Sequence, residues 1–259
     1  MTVTGEDEQP AAGLASGRPP RRGRADPHTH TRASDGLGAP EDYVEAVASL
    51  NLDVVAVTDH DTLTGAERVR ELVARGGYSF EVIVGIEVTT ERGMHLLGLF
   101  MQRPLPLFLP VDKAIEMITD QGGIALAPHP LSPLTPSLGR RAIERLLAQR
   151  AALIGVETIN PSPAGRVVER KIKAFNKVWK LAEFGGSDAH FLSRIGTAYT
   201  EFDGHTAEDL RQSLLNHTTT AHTSLDPLER VPLSDYVRQS SRSMLLNPAQ
   251  KVARRLSRG

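Results

Sequence analysis

The sequence predicts an α/β fold with a largely parallel sheet, closed or distorted into a barrel of about seven βα units. Three observations lead there. Short apolar runs alternate with amphipathic helical stretches, the alternation persists through most of the chain, and polar clusters rich in histidine and aspartate follow the apolar runs. Periodicity does not count barrel strands, so an open doubly wound sheet is the alternative. Its usual glycine-rich nucleotide fingerprint is absent, because Gly76–Gly77 follows a helix and Gly185–Gly186 lacks the spacing.

Order is expected to begin at Arg24 or Ala25, with a first strand carrying His28 and His30. A helix through Glu41–Leu50 places Val44, Val47 and Ala48 on one face, and Leu52–Thr58 is the clearest apolar strand. A second helix through Gly65–Ala74 carries Val69, Leu72 and Val73 and stops at Gly76–Gly77. Phe80–Val88 and Met94–Phe100 read as strands, Val111–Asp120 as a helix closed by Gly122–Gly123, and Ile124–Ala127 as the next strand. Ala142–Gln149, Leu153–Thr158 and the longer helix Val167–Trp179 follow, and Lys180–Gly185 leads into a strand end. Ala198–Phe202 and a helix through Ala207–Leu215 complete the repeated units.

Around this core, residues 1–24 are rich in Gly, Pro, Ala and charge and are expected to form a disordered leader. Residues 25–235 form the domain, and 236–259 a tail with six Arg or Lys and no Asp or Glu. The 259 residues, 40% hydrophobic, suffice for one sizeable core. A formal charge of −1 commits the whole protein to no polyanionic partner. The absence of cysteine excludes disulfides and thiolate ligation. No export segment or membrane span is legible, so the expected location is cytoplasmic. No obligate protein partner is evident.

The chemistry concentrates in short motifs. In Asp26-Pro27-His28-Thr29-His30, residues two apart on a strand point the same way, so His28 and His30 can face one metal. Thr58-Asp59-His60-Asp61 follows an apolar strand directly, which places His60 at the C-terminal mouth of a barrel. Ala127-Pro128-His129-Pro130 and Gly186-Ser187-Asp188-Ala189-His190 repeat that pattern. Glu87 sits in an apolar run where an unpaired charge is costly, a cost that coordination removes, and one face of the next strand can carry His95 back towards it. Asp35 belongs to the turn Ser34-Asp35-Gly36. Six of the nine histidines fall in this set, leaving out His205, His217 and His222. Nitrogen and oxygen donors without sulfur suit Mn, Fe or Zn, in two or three centres that clamp an oxyanion.

As an ordered set, these motifs resemble those of the polymerase-and-histidinol-phosphatase (PHP) superfamily, from Asp26 to about Phe202. Within it the chain is most similar to small stand-alone metal-dependent phosphoesterases, including those acting on nucleotides. The resemblance implies a distorted (β/α)7 barrel and phosphoester hydrolysis at a trinuclear centre of divalent metals. It assigns His28, His30, Glu87 and Asp188 to a first metal, a bridging Glu87 with His95 and His129 to a second, and Asp35, His60 and His190 to a third. The short segment Met101–Gly123 departs from the nucleotide-bisphosphate phosphatases, which carry a lid-like insertion there.

The expected reaction is in-line attack by a metal-bound hydroxide on phosphorus, supported by Asp188, His190 and His60. Asp59 or Asp61 is expected to hydrogen-bond the histidines. Arg194, just past His190, and Arg140 and Arg141, beyond the proline-rich loop after His129, are the candidates for substrate phosphate. A small phosphorylated compound, a nucleotide or a short nucleic acid all suit such a mouth. A metal-dependent amidohydrolase and a catalytically silent metal-binding module are the competing readings.

Overall fold

The computed structural model describes residues 22–224 and 231–246; most of the proposed leader and the tail beyond Leu246 lie outside them. The first strand, β1 (Gly23–Thr29), is followed by α1 (Pro40–Ala48), β2 (Val54–Val57), α2 (Thr64–Gly76) and β3 (Glu81–Val84). Next come β4 (Ile86–Thr89), β5 (His95–Leu99), α3 (Val111–Asp120), β6 (Ile124–Ala127), α4 (Arg140–Ala148) and β7 (Leu153–Ile159). Then α5 (Pro163–Trp179), β8 (Ala182–Gly185), β9 (Ala198–Phe202), α6 (Ala207–Leu215), β10 (Thr220–Thr223) and α7 (Leu233–Ser241) complete the order. Local chemistry explains two of the helix starts. Pro163 opens α5 behind a Ser162 hydroxyl that accepts from Gly165 N, and Thr206 with Asp209 forms a capping box on α6.

The strands form two five-stranded sheets, in the orders β10-β9-β1-β2-β3 and β4-β5-β6-β7-β8. These sheets are not closed into a barrel, which corrects the expected closure. Phe80–Val88, which reads as one strand, is two: β3 pairs with β2, and after Gly85 the chain enters the other sheet as β4. A Cβ on Gly85 would come 2.8 Å from Thr58 Cγ2, so the crossing is built for glycine. The expectation of a largely parallel sheet also fails. β4 and β5 are antiparallel because Thr90–Met94 is too short for a helical crossover. The pairs β5–β6, β1–β9 and β9–β10 are antiparallel as well.

The sheets still face each other. Single bridges, Thr29 with Ala189 and His60 with Glu87, join them at the two seams. Alternate strand residues point between the sheets, where Val54, Ala56, Leu97, Leu99, Leu126, Phe184 and Phe202 pack with Leu210 and Leu214 of α6. Their neighbours Val55, Val57, Leu96, Ala125 and Val156 point outward to pack with residues of α1 to α5. The α6 end is thus sealed by hydrocarbon, while the C-terminal ends of β1, β2, β6 and β8 open at the opposite mouth. Among the described residues, no helix is long and apolar enough to cross a membrane.

Candidate metal centre

Every metal-ligand candidate of the sequence reaches that mouth. His28 and His30 share the inner side at the end of β1, and Glu87 projects from β4. In the β4–β5 ladder Glu87 lies opposite Leu97, so His95, two residues from Leu97, shares its face. His60, His129 and the Asp188–His190 pair follow β2, β6 and β8. The turns that bring two of them inward use left-handed backbone, with φ of 28° at His129 and 53° at Asp188. Such conformations are costly for non-glycine residues and concentrate at functional sites.

Glu87 is the hub. Its Oε1 lies 2.8 Å from His95 Nδ1 and 2.9 Å from His129 Nε2. Its Oε2 lies 3.3 Å from both His30 Nε2 and His60 Nδ1, and 3.6 Å from His28 Nε2. Asp188 Oδ1 is 3.3 Å from His30 Nε2 and 3.4 Å from His28 Nε2. Asp35 forms a second pole, 3.3 Å from His190 Nε2 and 3.7 Å from His60 Nε2. The rings of His30 and His190 stack with centroids 4.3 Å apart.

The electrostatics are those of interlocked, mostly buried charges. Burial opposes the charged forms of Asp35, Glu87 and Asp188, yet the surrounding imidazoles hold all three below the usual carboxylate range. Burial also opposes charge on His190, but Asp35 and Asp188 push its pKa up to about 10. His28 is held high against burial by Asp188 and Glu157. For His60 burial wins, and its pKa falls to about 4.

Divalent cations suit this donor set. Buried polar atoms without a hydrogen bond include His28 Nε2, both ring nitrogens of His30, Asp35 Oδ2, His60 Nδ1 and His95 Nδ1. An unsatisfied buried polar atom costs about 1–3 kcal/mol, so this many in one mouth point to ligands that replace hydrogen bonds. Four overlapping groups have donor atoms within 4.8 Å of one another: His30, Asp35, His60 and His190; His28, His30 and Glu87; His28, His129 and Asp188; His60, Glu87 and His95. All nine candidates enter at least one group.

Sequence reasoning missed Glu157. It is fully buried in β7, with Oε1 3.0 Å from His28 Nδ1. Its Oε2 accepts from His129 N at 2.6 Å and from Asn160 Nδ2 at 3.0 Å. One carboxylate therefore holds the ring of one candidate ligand and the backbone of another, the arrangement that sets tautomer and orientation in metal sites. The detectable signal was a lone acid within the apolar run Leu153–Ile159. Asp59 accepts from Thr31 N, Thr31 Oγ1 and Ser34 Oγ, bracing the loop before Asp35 rather than a histidine. Asp61 accepts from Thr89 N and Oγ1.

The arginines divide. Arg194 lines a cleft of about 730 Å³ together with Asp188 and His190. Arg140 does not reach it: Ile143 and Leu146 take the core side of α4, and Arg140 pairs with Glu144 and lies over the Phe175 ring. Arg141 is exposed on the same helix. Arg166, in the first turn of α5, lines the cleft instead. Of the histidines set aside, His205 lies 3.4 Å from Asp53 near the surface, and His222 stacks on Tyr199 from β10.

A family profile described as the PHP domain matches residues 26–183, and a PHP-associated profile matches 169–219. This chain belongs to the PHP family. An uncharacterized protein of Methanocaldococcus jannaschii is 33% identical over 168 residues, covering 61% of this chain and 92% of that protein. The 5′-3′ exoribonuclease Rnm of Salmonella typhimurium is 38% identical over 77 residues, 29% of this chain. That match spans only 26% of Rnm's own length. A two-domain protein of Bacteroides vulgatus, containing a predicted PHP-like metal-dependent phosphoesterase, shares the fold. Its TM-score is 0.63 at 20% identity, covering 78% of this chain and 65% of that one.

Proposed function

We propose that this PHP protein is a metal-dependent phosphoesterase acting on small phosphorylated compounds, nucleotides or short nucleic acids. The observation that carries the reading is the convergence of nine nitrogen and oxygen donors on one mouth, with several buried donor atoms left without hydrogen bonds. His28, His30, Glu87 and Asp188 would hold a first divalent ion. Glu87 would bridge to a second with His95 and His129, and Asp35, His60 and His190 would hold a third. Such ions, Mn, Fe or Zn, supply positive charge to phosphoryl oxygens and lower the pKa of coordinated water.

The chain's own groups do the rest. Glu157 keeps a proton on His28 Nδ1, leaving Nε2 free to ligate. Asp188 and His190 stand between the donor cluster and the cleft, where they can orient a phosphoester. Arg194 and Arg166 line that cleft and offer guanidinium donors to anionic substrate oxygens. The family match and the partial likeness to an exoribonuclease support phosphoester chemistry over amide hydrolysis.

A hydrolysis screen of sugar phosphates, nucleoside bisphosphates, cyclic nucleotides, short 5′-phosphorylated RNA and simple amides tests this. Activity on at least one phosphoester, lost to a chelator and recovered with Mn, Fe or Zn, is expected. Full hydrolysis by metal-free protein overturns the mechanism. Activity on amides alone selects the amidohydrolase, and full metal occupancy without turnover selects the silent module.

A further inference from the structure

The PHP-associated match ends at residue 219, and α7 lies beyond it. This helix crosses the domain boundary drawn at 235/236 and stands at the cleft beside Asp188 and His190, where Tyr236 and Gln239 contribute lining. It has no buried residue, so hydrophobic burial contributes little to holding it. A nine-residue helix is marginal without tertiary support, and specific contacts fasten this one. Near its start Tyr236 packs edge-on against Phe191, with centroids 4.9 Å apart and planes at 65°. Just past its end the Arg242 guanidinium donates to Arg32 O at 2.7 Å and Ser34 O at 2.8 Å, in the loop that carries Asp35.

Aromatic rings and cations thus meet beside the proposed reacting centre. Leu134 and Pro161 add apolar surface, and among the described residues neither Arg166 nor Arg194 has a carboxylate partner. Flat apolar surface favours a planar ring, since stacking requires a face rather than a particular pattern of donors, and the guanidinium groups favour the anionic phosphate attached to it.

Resting on the phosphoesterase reading, we propose that this cleft is the leaving-group subsite and takes a planar aromatic group, a nucleobase or an aryl ring, borne on the phosphoester. Tyr236 is its specificity-determining residue. Arg242 is a positioning residue that holds α7 against the mouth.

The test compares wild type with Tyr236→Ala, Tyr236→Phe and Arg242→Ala as full-length, metal-loaded proteins. The substrates are adenosine 5′-monophosphate, 4-nitrophenyl phosphate and ring-free glycerol 3-phosphate. The ratio of kcat/KM for the aromatic substrates over glycerol 3-phosphate should fall about tenfold in Tyr236→Ala, through KM, as expected for loss of one stacking face. Tyr236→Phe should restore the ratio, and Arg242→Ala should lower it in the same direction. A fall for the nucleotide alone assigns the subsite to a nucleobase, whereas a fall for both assigns it to aromatic rings generally. An unchanged ratio in Tyr236→Ala overturns the proposal.

Equilibrium dialysis of adenosine 5′-monophosphate separates the two readings. If no phosphoester is turned over, the phosphoesterase reading fails, and the subsite is judged by binding alone. Weaker binding to Tyr236→Ala than to wild type upholds it. Equal binding to both, or none to wild type, overturns it.

Discussion

Replacing Glu157 by glutamine tests whether the donor cluster is a metal site ordered from behind. The substitution preserves volume but removes charge from a carboxylate that serves two sides at once. Oε1 faces His28 Nδ1 at 3.0 Å, and Oε2 accepts from His129 N at 2.6 Å and Asn160 Nδ2 at 3.0 Å. A glutamine that keeps its oxygen towards His129 N turns its NH2 towards His28. His28 Nδ1 must then accept, which moves the ring proton to Nε2, the nitrogen proposed to ligate. The opposite flip sets an NH2 against two N–H donors. Neither orientation satisfies both sides. Loss of a hydrogen bond to a charged group costs about 1.5–3 kcal/mol, which corresponds to roughly 10–150-fold in metal affinity and agrees with the effect of outer partners in other metal sites. Competition against a chromophoric chelator measures the affinity, with circular dichroism to show that the fold persists. Wild-type affinity in a folded Glu157→Gln protein would refute the role given to Glu157.

Three further outcomes follow from the same geometry. Asp188→Asn and His190→Ala should lower phosphoesterase turnover by orders of magnitude, whereas His205→Ala, which removes an exposed ring beside Asp53, should change it little; equal activities in steady-state assays would show that the cluster is not the reacting centre. Metal loading should release protons, because His28 and His190 are held above the usual histidine range in the metal-free site and must lose a proton to ligate. Apparent metal affinity should therefore rise with pH towards about 10, the raised value of His190, and titration calorimetry in buffers of different ionisation enthalpy should detect the protons; a pH-independent affinity contradicts this. Gly186→Ala would place a Cβ 2.6 Å from both Glu157 Oε1 and His28 Cβ, so thermal unfolding should report a loss of about 1–3 kcal/mol, the usual cost of overpacking, and an unchanged Tm would mean that the close approach relaxes freely.

The sequence by itself made most of the elements legible, and with them the inventory of candidate donors. Strand alternation and helix periodicity are properties of neighbouring residues, so Val111–Asp120, Ile124–Ala127 and Ala198–Phe202 were legible to the residue, and the spacing of His28 with His30 placed both on one side. The concentration of histidine and acid after apolar strands was legible for the same reason. Tertiary structure decided what depends on distant segments meeting. Leu153–Ile159 shows an acid in an apolar run, but only the packing of β7 beside β8 and the β6 turn makes Glu157 a partner of His28 and His129. Gly85 reads as an ordinary strand glycine until its crowding against Thr58 marks where the chain leaves one sheet for the other. Arg140 and Arg166 look alike as helix-start cations, and the side of the helix buried by Ile143 or Val168 directs one to the outer surface and the other to the cleft. Tyr236 lies 46 residues beyond His190 in a polar, basic stretch, and only the fold brings it to the ring of Phe191. Periodicity reports which side of an element is apolar, whereas the neighbour that side meets is set by the packing of the whole chain.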